Sequence, residues 1–356
     1  MSGLNFDLLK RLCETPGVSS REEQIRKLVM NEMKPLVDTL EVDVLGSVIG
    51  FKKGASDGPR VMIAAHMDEI GFLVKHIDEK GFVRLQPVGG WDPRAMMAQR
   101  VFVHGFSGER LRGSMMPGAK PIHLLTTEEL NKSLKTDDYF VDLGMPAEKI
   151  RSLIEVGDPV TMDRTAELVG DHVVSKTLDN RLSVFIMLEA MKVLKGRTIK
   201  SNVMAVATTQ EEVGLRGAST SSYSLQPDIA IALDGTLAND FPGPPDYDQV
   251  TRLGHGVGIK IMDSSLLCHP KLVKHFREIA DAKKIKYQLE ILSRGGTDAG
   301  AMQRSRGGVA SFTLSVPMRY VHTVNETAHL EDIQGAIDLL VAFLEEAHTR
   351  KYDYSE

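Results

Sequence analysis

Apolar runs that each end in polar residues recur along the chain, and amphipathic stretches separate them. Four of these runs are typical of buried strands: RVMIAAH, NVMAVATT, PDIAIALD and VASFTLSVPMRYVH. Helical spacing of apolar residues marks NRLSVFIMLEAMKVLK, HPKLVKHFREIADAKK and LEDIQGAIDLLVAFLEEAHTR. Strands that alternate with helices predict a parallel sheet covered by helices, which is an α/β fold.

Two further helices are predicted before the first strand. Apolar spacing indicates one helix from Asn5 to about Cys13, and a second follows in the segment PGVSSREEQIRKLVMNEMKPL. We expect Ser19 or Ser20 to cap the second helix, because Glu22 and Glu23 follow in its first turn.

The pattern changes between about Gly71 and Asp163. Short alternating runs such as GFVRLQPV and QRVFVHGF, separated by Gly, Pro and DEKG turn signals, predict a small all-β unit there. Because strands and helices alternate again after Lys176, we interpret this unit as a domain inserted into the α/β one. The predicted organisation is an α/β domain made of residues 1–69 and 164–356, with a β-rich domain at 70–163.

Length and charge narrow the choice of partners. A chain of 356 residues favours two domains, and a net charge of −5 without a stripe of Lys and Arg argues against a nucleic-acid partner. No apolar run approaches the roughly 18 residues that cross a bilayer, so no membrane partner is expected. Cys13 and Cys268 are the two cysteines of the sequence, too few for a disulfide framework or thiolate metal sites. These features predict a cytoplasmic protein.

Residues that carry chemistry gather at the predicted strand ends. His66 and Asp68 form an H-x-D after VMIAA, and a two-residue step along a strand puts both side chains on one face. Asp179 precedes a helix that begins near Arg181, Glu211 and Glu212 end NVMAVATT, Asp234 ends DIAIALD, and His322 follows SVPMRYV. Ligands of open α/β sheets bind at the carboxyl ends of the strands, so we expect these residues in one site.

The adjacent glutamates indicate a metal. Two carboxylates at one strand end repel each other unless a cation neutralises them. Two imidazoles with several carboxylates and no thiolate suit Zn²⁺, Co²⁺ or Mn²⁺. In one arrangement, each of two ions takes a histidine and a terminal carboxylate while one aspartate bridges them. That arrangement uses His66, His322, Glu212, Asp234 and Asp179.

Glu211 and Asp68 stay free of metal in this arrangement. Glu211 can then accept a proton from a water whose pKa a cation has lowered. Asp68 can hold the His66 imidazole in the tautomer that binds metal. Taken singly, each residue has a simpler explanation as a helix cap, a solvated glutamate or a hydrogen-bonded loop histidine. Five such positions at one sheet edge favour the metal interpretation.

Other polar residues are weaker candidates. His123, His172 and His255 lie away from the strand ends, and we interpret them as structural or exposed. The turn GGTDAGAM could cradle a phosphate at a helix N-terminus, but it lacks the P-loop lysine and the dinucleotide spacing. Arg294 precedes this turn and is a candidate for gripping an acidic side chain, although an exposed loop arginine is the favoured interpretation.

Motifs along nearly the whole chain resemble one family. They are AAHMDEIGF, PVGGWDP, KTLDNR, TTQEEVGLRGA, IALDGTLANDFPG, GGTDAGA and RYVHTVNETAHLED. In them the sequence resembles the glutamyl aminopeptidase and tetrahedral aminopeptidase family of cytosolic dinuclear metallopeptidases, some relatives of which carry endoglucanase names. The resemblance implies a zinc-peptidase-like α/β domain, with a mixed sheet flanked by helices, and an inserted PDZ-like β domain used in assembly. It also implies two zinc or cobalt ions at the five ligands above, Glu211 as base, and a homo-oligomer, often a dodecamer.

We therefore predict a metal-dependent aminopeptidase that removes N-terminal residues from short peptides. One metal would anchor the free α-amine, and both would polarise the scissile carbonyl. A deacylase or carboxypeptidase on the same metal platform stays open, because it differs in which substrate end is held. A glycosidase would use paired carboxylates as acid and nucleophile, but it leaves two histidines without a role. A binding protein on an inactive scaffold should have lost Glu211 or a ligand, and this chain keeps them all.

Overall fold

The computed structural model describes residues 3–55 and 57–354. Its strands are β1 (Thr39–Val42), β2 (Val48–Lys52), β3 (Arg60–His66), β4 (Gly71–Ile77), β5 (Val83–Val88), β6 (Gln99–His104), β7 (Arg110–Pro117), β8 (Tyr139–Asp142), β9 (Pro159–Met162), β10 (Glu167–Val169), β11 (His172–Ser175), β12 (Asn202–Thr208), β13 (Ile229–Leu237), β14 (Val257–Met262), β15 (Tyr287–Ile291), β16 (Ala310–Arg319) and β17 (Glu326–His329).

The described helices are α1 (Phe6–Glu14), α2 (Glu23–Met33), α3 (Thr127–Leu130), α4 (Ala147–Arg151), α5 (Leu178–Val193), α6 (Arg216–Leu225), α7 (Pro270–Lys283), α8 (Asp298–Gln303) and α9 (Leu330–Glu346). Five of them, α1, α2, α5, α7 and α9, lie in the predicted helical stretches, whereas α3, α4 and α6 were not predicted. Within the described part of the chain, no helix has the length and apolar character needed to cross a bilayer.

Eleven of the described strands form one mixed sheet. Its main path runs β1-β2-β12-β3-β13-β16-β17-β11-β10, and β14 pairs with both β15 and β16. The central pairs β12–β3, β3–β13 and β13–β16 are parallel. The outer pairs β1–β2 and β10–β11 are antiparallel, because short connections join them as hairpins. The purely parallel sheet predicted from alternation is therefore wrong at the edges, whereas the mixed sheet flanked by helices is confirmed.

Six strands form a separate closed barrel in the order β4-β5-β8-β7-β6-β9. They lie between residues 71 and 162 and enclose their own apolar core, which includes Phe72, Val101 and Val141. The chain leaves the large sheet at the end of β3 and returns to it at β10. The barrel thus begins only five residues beyond His66, close to one edge of the large sheet.

The centre of the large sheet is apolar on both faces. Six of the seven residues of β3 are buried, and so are six of the seven in β12. Helices α5 and α8 contact β3 and β13, and α9 packs on α5 and β16. Along β3 and β12 the polar side chains therefore lie only at the ends of the strands.

The start of α2 differs from the prediction. Glu22 occupies the cap position, and no side chain caps the helix. The hydroxyl of Ser19 instead donates a hydrogen bond to Asp68 Oδ2 at 2.6 Å, and the N–H of Ser20 donates to Glu22 Oε1 at 2.8 Å. The prediction that Ser19 or Ser20 caps this helix is wrong, because the Ser19 hydroxyl bonds to the carboxylate after β3.

Candidate metal centre

Three parallel strands bring the predicted residues to one edge of the sheet. The register of β3 and β12 pairs His66 with Thr208, so both strands end at the same level. Glu211 and Glu212 follow that end by three and four residues. On the other side of β3, Ala64 pairs with Ala232, and continuing this register brings Asp234 level with His66.

Asp179 lies between the two predicted histidines. Its Oδ1 is 3.1 Å from Nε2 of His66, and its Oδ2 is 3.4 Å from Nε2 of His322. The backbone at Asp179 and Asn180 is not helical, and α5 continues regularly after these residues. The Asp179 carboxylate thus faces both imidazoles, a position from which one carboxylate can contact two cations.

His322 lies at the opposite side of this carboxylate. Its Nε2 is 3.5 Å from Glu212 Oε2, and its Nδ1 is 2.8 Å from the carbonyl oxygen of Gly90 in the barrel segment. A carbonyl can only accept, so the proton of a neutral imidazole is on Nδ1 and Nε2 is free to bind a metal.

Asp68 contacts more of the site than the sequence indicates. Nδ1 of His66 is 3.2 Å from the Asp68 carbonyl oxygen and 3.5 Å from its Oδ1. The carboxylate also accepts hydrogen bonds from the backbone N–H groups of Glu211, at 2.9 Å, and Glu212, at 3.2 Å. Its side chain is fully buried. Asp68 therefore connects the end of β3 to the segment that carries both glutamates.

The site holds more buried carboxylates than positively charged groups. Burial raises the pKa of Glu211 and of Asp234 well above the ordinary range, and it raises the pKa of Glu212 to about 7. Against the opposing effect of burial, the carboxylates around His322 raise the pKa of its imidazole to about 10. The protein alone thus balances these charges by taking up protons, a task that a divalent cation performs in a metal site.

The donor atoms are also close enough to one another to bind a cation. Ligand atoms of His66, Glu211 and Asp234 all lie within 4.8 Å of one another, and so do those of His66, Asp179 and Glu212. Oε1 of Glu212 is buried and accepts no hydrogen bond from the described residues. Nitrogen and carboxylate oxygen without sulfur is the donor set of catalytic Zn²⁺ and Co²⁺ sites.

A cavity of about 530 Å³ opens on this cluster. The predicted ligands and Glu211 lie at one end, and Thr236, Leu237, Leu292 and Val321 line its walls together with Gly295 and Gly296. Arg294 also lines the cavity, and its side chain is exposed. The weaker candidates lie elsewhere: His123 and His255 are exposed, and the ring of His172 meets that of His329 edge to face.

Two acidic residues near the cluster were not singled out from the sequence. Oε2 of Glu326 accepts the N–H of Asp179 at 3.0 Å, and its Oε1 accepts the N–H of His322 at 2.8 Å. Asp298, in the glycine-rich turn, accepts a hydrogen bond from Thr208 Oγ1 at 2.5 Å. The turn thus holds a buried carboxylate rather than a phosphate cradle. The spacing of Glu326, four residues after His322, was the one available signal.

Comparison with known proteins agrees with this geometry. A family model described as M42 glutamyl aminopeptidase matches residues 46–339. The chain belongs to the M42 glutamyl aminopeptidase family. The resemblance found in the motifs is therefore confirmed, and with it the prediction of a metal-dependent aminopeptidase. The deacylase and glycosidase alternatives receive no better support.

Relatives of the family match over nearly their whole length. The lysyl aminopeptidase of Pyrococcus furiosus is 35% identical over 350 residues, which cover 96% of this chain and 97% of that protein. An aminopeptidase from the archaeon Desulfurococcus kamchatkensis is 40% identical, with a TM-score of 0.91 over 96% of this chain and 94% of the other. The TET1 peptidase of Pyrococcus horikoshii, described as assembling into a tetrahedron or a large octahedral shell, is 32% identical, with a TM-score of 0.85 over 96% and 99% of the two chains.

Proposed function

We propose that this chain hydrolyses the N-terminal peptide bond of short peptides at the cavity edge formed by β3, β12 and β13. His66, Asp234 and Asp179 would hold one divalent ion, and His322, Glu212 and the other oxygen of Asp179 would hold the second. The position of the Asp179 carboxylate, 3.1 Å from one imidazole and 3.4 Å from the other, is the observation that carries the proposal. Zn²⁺ and Co²⁺ suit these ligands best, with Mn²⁺ as a third choice.

Glu211 is the proposed general base. When bound, divalent ions polarise a carbonyl and lower the pKa of a water. The Glu211 carboxylate, 3.8 Å from Nε2 of His66 and 10% exposed, accepts a proton as the water oxygen bonds to the scissile carbon. When the C–N bond breaks, the same carboxyl group returns that proton to the leaving nitrogen.

The proposed ions favour a free amine over a blocked one. The nitrogen of a neutral α-amine would offer its lone pair to one of these ions, whereas the lone pair of an acylated nitrogen is delocalised into its carbonyl group. Asp68 is proposed to act through position, since it holds the backbone of Glu211 and Glu212 and contacts His66.

Aminoacyl-arylamides with free and acetylated N-termini test this function on protein reloaded with Zn²⁺ or Co²⁺. Release of the arylamine from the free-amine substrates alone is the expected result. Cleavage of the acetylated substrates at a comparable rate would favour the deacylase instead.

We also infer that the chain forms a homo-oligomer in which the β4–β9 barrel is the PDZ-like assembly element. Support comes from the relatives, since the TET1 peptidase forms closed shells, and from exposed apolar side chains on the barrel and its adjoining segment, such as Phe106, Ile122 and Leu124. Light scattering should give the mass of a dodecamer, and a monomeric mass at micromolar concentration would contradict this assembly.

A further inference from the structure

The walls of the cavity away from the proposed metal ligands are mainly apolar. Leu215, Leu237, Leu292 and Val321 contribute side chains to it, and Gly295 and Gly296 contribute backbone. Apolar walls favour a side chain that loses water without leaving a polar group unpaired. This region is the space for the side chain of the substrate's first residue, an assignment that rests on the proposed function.

A buried charge lies directly behind one wall. Lys260 of β14 and Glu290 of β15 are cross-strand partners, and both are fully buried. Nζ of Lys260 is 2.5 Å from Oε1 of Glu290. The Thr236 hydroxyl, which belongs to a residue of the cavity wall, donates to the same Oε1 at 2.6 Å. A single oxygen of Glu290 therefore joins the lysine to the wall.

Without Glu290, this lysine would present its charge to the cavity. An ammonium group in a low-dielectric interior acts over several ångströms, because little water screens it. Asp263 Oδ2 is 4.0 Å from Lys260 Nζ, a longer contact than that of Glu290, so Asp263 alone would offset the charge of the lysine only in part. Glu290 makes the short contact and lies between the ammonium group and Thr236.

We infer that Glu290 is a specificity-determining residue: by neutralising Lys260 behind the cavity wall, it makes the cavity select peptides whose N-terminal side chain is uncharged and apolar. Because Lys260 is paired, it offers an acidic side chain little attraction, and because Glu290 is paired, it offers little to a basic one. The side chains of Leu and Met match the apolar walls and leave no polar group unpaired when they lose their water.

Arg294 is the alternative source of selectivity for an acidic residue. Its guanidinium is exposed at the cavity, where water and salt screen its attraction for a carboxylate. The Lys260–Glu290 pair is fully buried and is not screened in this way. Arg294 therefore serves as the matched control.

The experiment compares kcat/KM for Leu-, Met-, Glu- and Lys-arylamides on metal-loaded protein. We expect the wild type to favour Leu over Glu and over Lys by at least about tenfold, because burying an unpaired charge costs more than about 1.4 kcal/mol. Glu290→Gln should lower the Leu/Glu ratio by about tenfold, because it leaves Lys260 with only the more distant Asp263. Lys260→Met should lower the Leu/Lys ratio, because it leaves Glu290 without its cation. Arg294→Ala should leave both ratios within about twofold of the wild type.

Ratios measured on one preparation do not depend on the fraction of folded enzyme. Where neither single variant folds, the double variant Lys260→Met/Glu290→Leu replaces the pair by apolar side chains and must keep the Leu preference. A wild type that prefers Glu or Lys would overturn the inference, as would unchanged ratios in a folded Glu290→Gln protein or loss of the Leu preference in the double variant. Absence of hydrolysis for every free-amine substrate would instead contradict the proposed function.

Discussion

The carboxylate of Asp68 accepts a hydrogen bond from the backbone N–H of Glu211 at 2.9 Å. These residues follow neighbouring strands, and this bond fixes the proposed base relative to the end of β3. The same carboxylate accepts hydrogen bonds from the Ser19 hydroxyl and from the backbone N–H of Glu212. Its Oδ1 also faces the His66 ring. One buried acidic group thus positions both the imidazole and the segment of the base.

Replacement of Asp68 by Ala should therefore lower both metal affinity and turnover. In metal sites, the loss of a group that orients a ligand typically lowers metal affinity or activity by about 10–100-fold. Ser19→Ala removes one donor to the same carboxylate and should have a much smaller effect. Metal affinity is measured by competition with a chromophoric chelator, and equal losses in the two variants would contradict the role of Asp68.

The two adjacent glutamates should behave differently on amidation. Glu211→Gln removes the proposed base, so kcat should fall by about 10²–10⁴-fold while the metal content stays at two ions per chain. Glu212→Gln removes a proposed ligand, so one ion should be lost or weakly held. Elemental analysis after gel filtration, together with kcat, separates the two. Loss of metal in Glu211→Gln with retention in Glu212→Gln would reverse the assignment.

Glu326 is expected to maintain the positions of Asp179 and His322. Its two oxygens accept their backbone N–H groups at 3.0 and 2.8 Å. Glu326→Gln turns one acceptor into a donor that faces an N–H, so metal affinity should fall by roughly tenfold. Glu331→Gln is the control, since this nearby glutamate is exposed and pairs with Lys286. If competition with a chelator gave the same metal affinity for the two variants, Glu326 would not position the ligands.

Acid should destabilise the barrel through His104. This residue ends β6, and its Nε2 is 2.8 Å from Thr161 Oγ1. Burial lowers the pKa of His104 to about 4. The unfolded chain takes up a proton near pH 6.5, whereas the folded chain does so only near pH 4, so the free energy of unfolding falls as the pH drops through this window.

The contribution of His104 between pH 7 and pH 5 should be about 2 kcal/mol. The measurement is the change in melting temperature between these pH values, compared for the wild type and His104→Gln. Taking the difference cancels the protonation of the metal ligands, which both proteins share. The variant should be less sensitive to acid, and an identical pH dependence would show that His104 does not contribute.

The sequence was informative where the end of a strand limits the position that a side chain can take. His66, Glu212 and Asp234 could be grouped because apolar runs of known period stop beside them, and parallel strands end at one edge. Glu326 was missed because one of its two partners, the N–H of Asp179, lies 147 residues away along the chain, and the four-residue spacing from His322 did not by itself indicate its role. The Ser19 prediction failed for a related reason: local spacing favoured a helix cap, but a carboxylate 49 residues away accepts its hydroxyl proton.

The edges of the large sheet show the same limit. Alternation of strands and helices predicts parallel pairing, and the central strands obey it. The short strands β10 and β11 lack a helix between them, and only the pairing of β11 with β17 reveals that this hairpin extends the sheet. Roles for the seven predicted site residues stay predictions, although six of them line one end of the cavity and the seventh, Asp68, is buried beside His66.

Titration of Zn²⁺ or Co²⁺ into chelated protein, with hydrolysis of a Leu-arylamide followed at each addition, tests the two-ion centre most directly. We expect no hydrolysis in the chelated protein, binding of two ions per chain, and activity that rises with their binding. Full activity in protein that retains no metal would contradict this expectation, and so would saturation at two ions without hydrolysis of any free-amine substrate.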